Sequence, residues 1–379
     1  MSQLIVKPVE TRDERRRFLE FPWTLYQGDA HWVPPLRRNQ KEMVGFVRHP
    51  FHERNRVRAF LATRDGRPCG RIGAIINPDH VTRYQEPVGF FGFLETIDDA
   101  EVAGRLLDAA RAWLSSEGLP IMRGPVNPSL NYECGLLVEG FDSPPTFMMT
   151  YNKPYYERLL VDYGVEVAQN LYSFEGHVDM LDNLDQKLHF VIGEATRRFK
   201  IHLRQIDKRR FHEEVLMFLD IYNQSLGGTW GFTPLSQGEA RNMAKSLRYL
   251  IVPELTAVAE VDGKPIAAVF GLLDYNPRIK EIDGRLFPFG FLKLLWNRKG
   301  IRRVRLLSTN VLPEYQRWGV GLVAMSRLVP DVVKWGIKEA EFSWVLESNH
   351  LSFNTLKRGG ARIAKKYRIY DIGRPKSGG

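Results

Sequence analysis

Long apolar runs are missing from this chain of 379 residues, and their absence excludes a membrane-spanning helix, which needs about 18 to 20 consecutive apolar residues. The amino terminus, MSQLIVKPVETRDERRRF, has no apolar core behind a basic segment, so a secretory signal is not expected there. Cysteine is scarce: Cys69 and Cys134 are the only two, with neither metal-ligand spacing nor a disulfide framework. That favours a reducing, cytoplasmic compartment and no metal site. Two common phosphate motifs are also absent. No Gly-rich loop ends in Lys followed by Ser or Thr, and no set of three spaced glycines opens a βαβ unit. No nucleic-acid recognition module is visible, and the basic residues are scattered, so nucleic acid is not an expected partner. What remains is a globular composition, 44% hydrophobic and 26% charged, with a net charge of +10 that suits an anionic partner. Single cores stop growing below about 300 residues, so two domains are expected.

The most informative stretch is VLPEYQRWGVGL, residues 311 to 322. VRLLSTNVL before it alternates like a buried strand, Pro313 cannot continue a ladder, and RWGVGLVAMSRLVPDVVKWGI repeats apolar residues at helical spacing as far as Gly336. The order is strand, turn, helix. Helix first turns leave N–H groups without internal acceptors and carry partial positive charge, so they attract anions. Gly319 and Gly321 would open the approach, and Gln316 and Arg317 would add donors. A diphosphate cofactor is the expected ligand.

Gln316, Gly319 and Gly321 fill the Gln/Arg-x-x-Gly-x-Gly/Ala pattern of the acyl-CoA loop in GNAT N-acyltransferases, which LPEYQRWGVG closely resembles. From Ile201 onward the order of elements is also similar: a strand, two helices, a hairpin turning at Asp262 and Gly263, the strand and helix around the loop, the strand EAEFSWVLE, a short helix from Asn349 to Lys357, and a closing strand in ARIAKKYRIYDI. Stretches such as FPWTLYQGDAHWVPPL and GLLVEGFDSPPTFMMTYNKPYYERLL extend the resemblance to bacterial tandem-GNAT proteins over nearly the whole chain. Some of those relatives make ceramides by N-acylating sphingoid bases. The resemblance implies an α/β (α+β) fold of two GNAT-like domains, each a mixed, mostly antiparallel sheet flanked by helices. It implies acetyl-CoA or a longer acyl-CoA as co-substrate, held by Val311, Leu312, Gln316, Arg317, Trp318, Gly319, Val320, Gly321, Leu322 and Asn349. The expected acceptor is a small-molecule or lipid amine.

The first half shows the same order, with a hairpin turning at Asp65 and Gly66, but after VGFFGFLE it carries Asp98, Asp99 and Glu101 where the glycine pair should be. Carboxylates there satisfy the helix start and repel a diphosphate. The expected division is therefore a degenerate domain over 1–180 without a CoA loop, a packed linker helix over 181–195, and a CoA-binding domain over 196–379.

Catalytic groups are less clearly marked. The position seven residues after Asn349, a tyrosine acid in the common family pattern, is Leu356; Tyr315, Tyr367 or Tyr370 could replace it. Glu347 ranks first as general base and Glu314 second, and an oxyanion would meet a backbone N–H near Val311. Asn131, Tyr132 and Glu133, inside the long insertion 127–156, are acceptor-site candidates. The second insertion, 285–303, mixes Phe, Leu and Trp with Arg and Lys; it reads first as a core helix with a basic flank, and second as a lid or a surface lying peripherally on an anionic membrane. Two other functions stay open: a non-catalytic acyl-CoA-binding protein, which Leu356 favours, and a Fem-type aminoacyl transferase, which would not need the loop.

Overall fold

The computed structural model describes residues 3–183 and 186–374. The chain divides into two compact units, one of 1–171 with 276–290 and 365–379, the other of 172–275 with 291–364. Residues 184 and 185 of the expected linker lie outside the described residues.

The first unit opens with β1 (Leu4–Pro8) and α1 (Arg12–Leu25), whose start is fixed by a capping box between Thr11 and Glu14. After α2 (Arg37–Met43), β2 (Arg56–Arg64) and β3 (Arg67–Ile76) form a hairpin. Its turn residues, Asp65 and Gly66, both have positive φ, as a tight primed turn requires. Then come α3 (Pro78–Tyr84), β4 (Val88–Thr96), α4 (Ala100–Ser116) and β5 (Ile121–Gly124). In α4, Val102, Leu106, Leu107, Ala110 and Leu114 share one face and are fully buried against the sheet. The insertion that follows is not one long loop. It forms β6 (Val126–Asn127), β7 (Glu133–Cys134) and β8 (Leu136–Glu139) before α5 (Tyr156–Tyr163) and β9 (Glu166–His177).

The second unit contains α6 (Gln186–Phe199), β10 (His202–Arg204), α7 (Phe211–Ser225), α8 (Gln237–Leu247), β11 (Thr256–Val261) and β12 (Lys264–Leu273). The β11–β12 turn again places Asp262 and Gly263 at positive φ. After α9 (Asn276–Glu281), which belongs to the first unit, and α10 (Gly290–Leu295), the chain runs through β13 (Arg303–Val311), α11 (Val320–Ser326), α12 (Val329–Trp335), β14 (Glu339–Leu346), α13 (His350–Arg358) and β15 (Arg362–Ile372). Small residues in β11 and β12, among them Ala257, Ala259 and Ala267, let Val320, Val323 and Ala324 of α11 pack closely on the sheet.

Each closing strand departs from the division expected at 180–195. β9 enters the second unit at Tyr172, and β15 enters the first at Lys365, where Tyr370 pairs with Gly124 of β5. The helix expected from Arg317 to Gly336 is broken at Arg327 and Leu328, because Pro330 lacks an N–H and restarts the helix in the first turn of α12. The linker helix is α6, a few residues later than expected. Segment 285–303 does not form a core helix: Leu294 is buried, whereas Leu292 is 53% and Trp296 80% exposed. Among the described residues no helix is long and apolar enough to cross a membrane.

Candidate active site

The site in the second unit begins with a ladder that stops early. β13 and β14 pair in parallel from Arg303↔Glu339 to Leu306↔Phe342, and both strands then continue, to Val311 and Leu346. Along this unladdered arm Leu307 and Ser308 are half-buried and Thr309 is exposed. Strand alternation fixes which way its amides point. Leu312 N–H donates to Ile266 O in the β12 direction (2.9 Å), so the N–H groups of Val311 and Thr309 face away from β12. Val311 N–H donates to Ser225 Oγ at the end of α7 (3.2 Å). The oxyanion donor placed near Val311 is thus already bonded, and Thr309, two residues earlier, offers the equivalent N–H on the same edge.

The loop after β13 is a short 3-10 turn, Pro313–Trp318, leading into α11 at Gly319. Gly319 has φ of +77°, and a Cβ there would collide with Val191 of α6. Gly321 sits against the strand, where a Cβ would lie 3.2 Å from Thr309 Cγ2. Both glycines therefore have a packing reason. They also leave the first N–H groups of α11, at Val320 and Gly321, beside a backbone without side chains, and helix geometry gives those groups no internal acceptor. Gln316 acts otherwise than expected: its amide donates to Ser225 O and Val311 O, both at 3.0 Å, tying the strand end to α7. Arg317 is exposed, as is Trp318, whose ring carries the Arg198 guanidinium at 3.9 Å. Leu312 and Leu322 are half-buried.

The candidate acids and bases separate clearly. Glu347, exposed just beyond β14, accepts from Tyr172 Oη at 2.9 Å. Nothing in the sequence marked Tyr172, or Ser225, as part of the site. Glu314 is exposed on the loop, and Tyr315 packs against Phe199 with ring centroids 5.4 Å apart. Asn349 caps α13, accepting from Ser352 N–H at 3.1 Å. Leu356 packs with Phe174, Val345 and Ala361, an apolar position with no proton to give. Tyr367 and Tyr370 lie on β15. Both are buried in the portion of β15 belonging to the first unit, and burial beside Glu157 raises the Tyr370 phenol above its ordinary value.

The first unit repeats the early-stopping ladder and then fills it. β4 and β5 pair from Val88↔Ile121 to Phe90↔Arg123. Beyond that, Phe93 N–H donates to Asn127 Oδ1 at 2.6 Å, and Val126 O lies so close to Gly92 that no Cβ would fit. The helix start is closed too: Asp99 accepts from Glu101 and Val102 N–H and pairs with Arg64 at 2.6 Å, and Asp98 pairs with Arg158. Asn131 N–H donates to Ser129 Oγ (3.3 Å), Tyr132 packs among His49 and Phe51, and Glu133 pairs with Asn127 in the β6–β7 ladder. The three acceptor candidates thus stand beside the segment that plugs this unit.

Solved structures share the fold. A tandem GNAT protein from the clavulanic acid biosynthesis pathway matches with a TM-score of 0.57 and 10% identity over 99% of this chain and 100% of that one. A GCN5-related glucosamine N-acetyltransferase region of a fungal multi-domain GH3 β-N-acetylglucosaminidase matches with a TM-score of 0.59 and 14% identity over 98% of this chain and 38% of that one. Among curated proteins, Protein YghO of Escherichia coli K12 is 33% identical over 97% of this chain and 95% of its own length, and the bacterial ceramide synthase of Caulobacter vibrioides is 33% identical over 98% and 97%. The chain belongs to the family of these two curated proteins, and its fold is the tandem-GNAT one. No model of a known protein family matches it. Within this tandem-GNAT chain, the acyl-CoA loop pattern occurs in the unit whose strand arm is unplugged.

Proposed function

We propose that the protein is an acyl-CoA-dependent N-acyltransferase whose second unit holds the thioester, and whose first unit is a degenerate GNAT domain that serves structure and acceptor recognition. The single observation that carries this reading is the contrast between the two arms: Thr309 stands exposed on β13, whereas Phe93 at the matching stage of β4 is bonded by Asn127. An extended pantetheine chain would pair with the free edge of β13, and its diphosphate would meet the start of α11. The amine nitrogen attacks the thioester carbon, the carbon–sulfur bond breaks, and CoA leaves as a thiolate. Glu347, steadied by Tyr172, accepts the proton released by nitrogen. Thr309 N–H faces the developing oxyanion. A thiolate is a good enough leaving group to depart without a strong acid, so Leu356 slows the reaction without preventing it. The ceramide synthase of C. vibrioides supports a long-chain lipid amine as acceptor and a long acyl group as donor.

The test is calorimetric titration of acyl-CoA into wild type and Gly321→Asp, which adds a negative charge to the first turn of α11. Loss of affinity is expected, with a melting temperature lowered by the crowding against Thr309 but a cooperative transition retained; retained affinity refutes the assignment. Leu356 also favours a second reading, an acyl-CoA binder without turnover. Release of free thiol from acyl-CoA in the presence of long-chain amines separates the two.

A further inference from the structure

Far from the loop, the other end of α7 meets a second feature. Lys208, Phe211, Arg248, Tyr249, Leu295 and Arg298 line a cavity of about 310 Å³. Three cations and no carboxylate form its wall. Arg298 Nη1 donates to Tyr249 O at 3.0 Å, and the Arg248 guanidinium lies 5.7 Å from the Phe211 ring centroid, so both heads are held near the cavity. Burial and the fields of Arg298 and Arg248 push the Lys208 ammonium below its ordinary value, against the opposing pull of Glu254. Such a convergence of like charge costs free energy until an anion enters.

The rim has the opposite character. Tyr249 is 65%, Leu292 53% and Trp296 80% exposed, and Lys293 and Lys299 are exposed beside them. An inorganic anion in water would use the cations and leave this apolar surface unexplained. An anionic bilayer surface would use both, because its phosphates lie at the depth of the basic heads while apolar and aromatic side chains enter the interfacial layer. The position is separate from the acyl-CoA loop: α7 runs from Phe211 at the cavity to Ser225 beside Val311, and a helix of that length spans about 21 Å at 1.5 Å per residue.

We propose that this cavity and its rim dock the protein on membranes containing anionic phospholipid, with a headgroup phosphate between Lys208, Arg248 and Arg298, and Tyr249, Leu292 and Trp296 in the interface. The full chain is sedimented with vesicles of phosphatidylcholine alone or mixed with phosphatidylglycerol, at low and high salt. Wild type should partition onto the mixed vesicles and be released by salt. Lys208→Gln and Arg248→Gln should each weaken partition by about five-fold, the effect of roughly one interfacial charge. The pair Leu292→Ser with Trp296→Ser should weaken it while leaving the salt dependence in place, and unchanged melting temperatures would show the variants folded. Equal binding to both vesicles, or unaltered partition in the charge variants, overturns the proposal. So does protection of the cavity by millimolar inorganic phosphate without vesicle binding, which would mark a soluble-anion site. Acyl transfer is not measured at any step, so the outcome is independent of the catalytic reading.

Discussion

Replacing Gly319 by alanine should destabilise the second unit through two separable effects. The residue sits at φ +77°, and its missing Cβ faces Val191 of α6. Holding an L-residue in the left-handed region costs about 1–2 kcal/mol. Forcing a methyl against a packed valine adds about 1–3 kcal/mol, because α6 or the loop must shift. Gly319→Ala alone should therefore cost about 2–5 kcal/mol, summing those two ranges. In a Val191→Ala background the collision is relieved and only the backbone cost remains, so the same change should cost about 1–2 kcal/mol, and the difference between backgrounds measures the contact. Urea unfolding followed by hydrogen exchange in peptides covering α11 assigns the transition to this unit. A loss below about 0.5 kcal/mol, the range of ordinary surface changes, would refute the conformational argument. Equal losses in the two backgrounds would refute the Val191 contact.

Further outcomes follow from the two units. Asn127→Ala should leave the Phe93 N–H without its acceptor and cost the first unit about 1–3 kcal/mol in denaturant unfolding, with no change in acyl-CoA affinity. Buried His80 titrates at about 4 because burial and Arg123 disfavour its cation. Its folded value is lower than its unfolded one, so its contribution is complete above about pH 6.5 and disappears as pH falls toward 4. His80→Phe should flatten that part of the stability–pH curve, and an unchanged slope would contradict the burial argument. Glu347→Gln should lower acyl transfer by about 10²–10⁴-fold, the usual reach of a general base, while leaving acyl-CoA affinity intact; a pH–rate profile without change in its acid limb would remove Glu347 from that role.

Turn and cap chemistry was plainly legible. Asp65–Gly66 and Asp262–Gly263 mark both hairpins because few residues accept two consecutive positive φ values, and Asp99 marks a helix start because its oxygen must take up orphan amides. Pro330 was easily overlooked within an apolar periodicity, since proline fits a first turn as well as it breaks a helix interior. The pairing of β9 and β15 was hidden for a different reason: alternation says which face of a strand is buried, not which strand it pairs with. Pairings distant in sequence carry no local sign either. Ser225 reaching Val311, Tyr172 reaching Glu347 and Asn127 plugging β4 are ordinary polar residues until the fold brings them together. The glycine pair was legible as a loop that must stay bare, while Gln316 proved to be a brace for it.

The most direct test of the central claim is the stoichiometry of acyl-CoA binding to the full chain, measured by calorimetry with a long-chain acyl-CoA below its micelle concentration. One site per chain is expected, lost in Gly321→Asp and retained in Asn127→Ala. Two sites, or one site that survives Gly321→Asp, would contradict the assignment of the cofactor to the second unit.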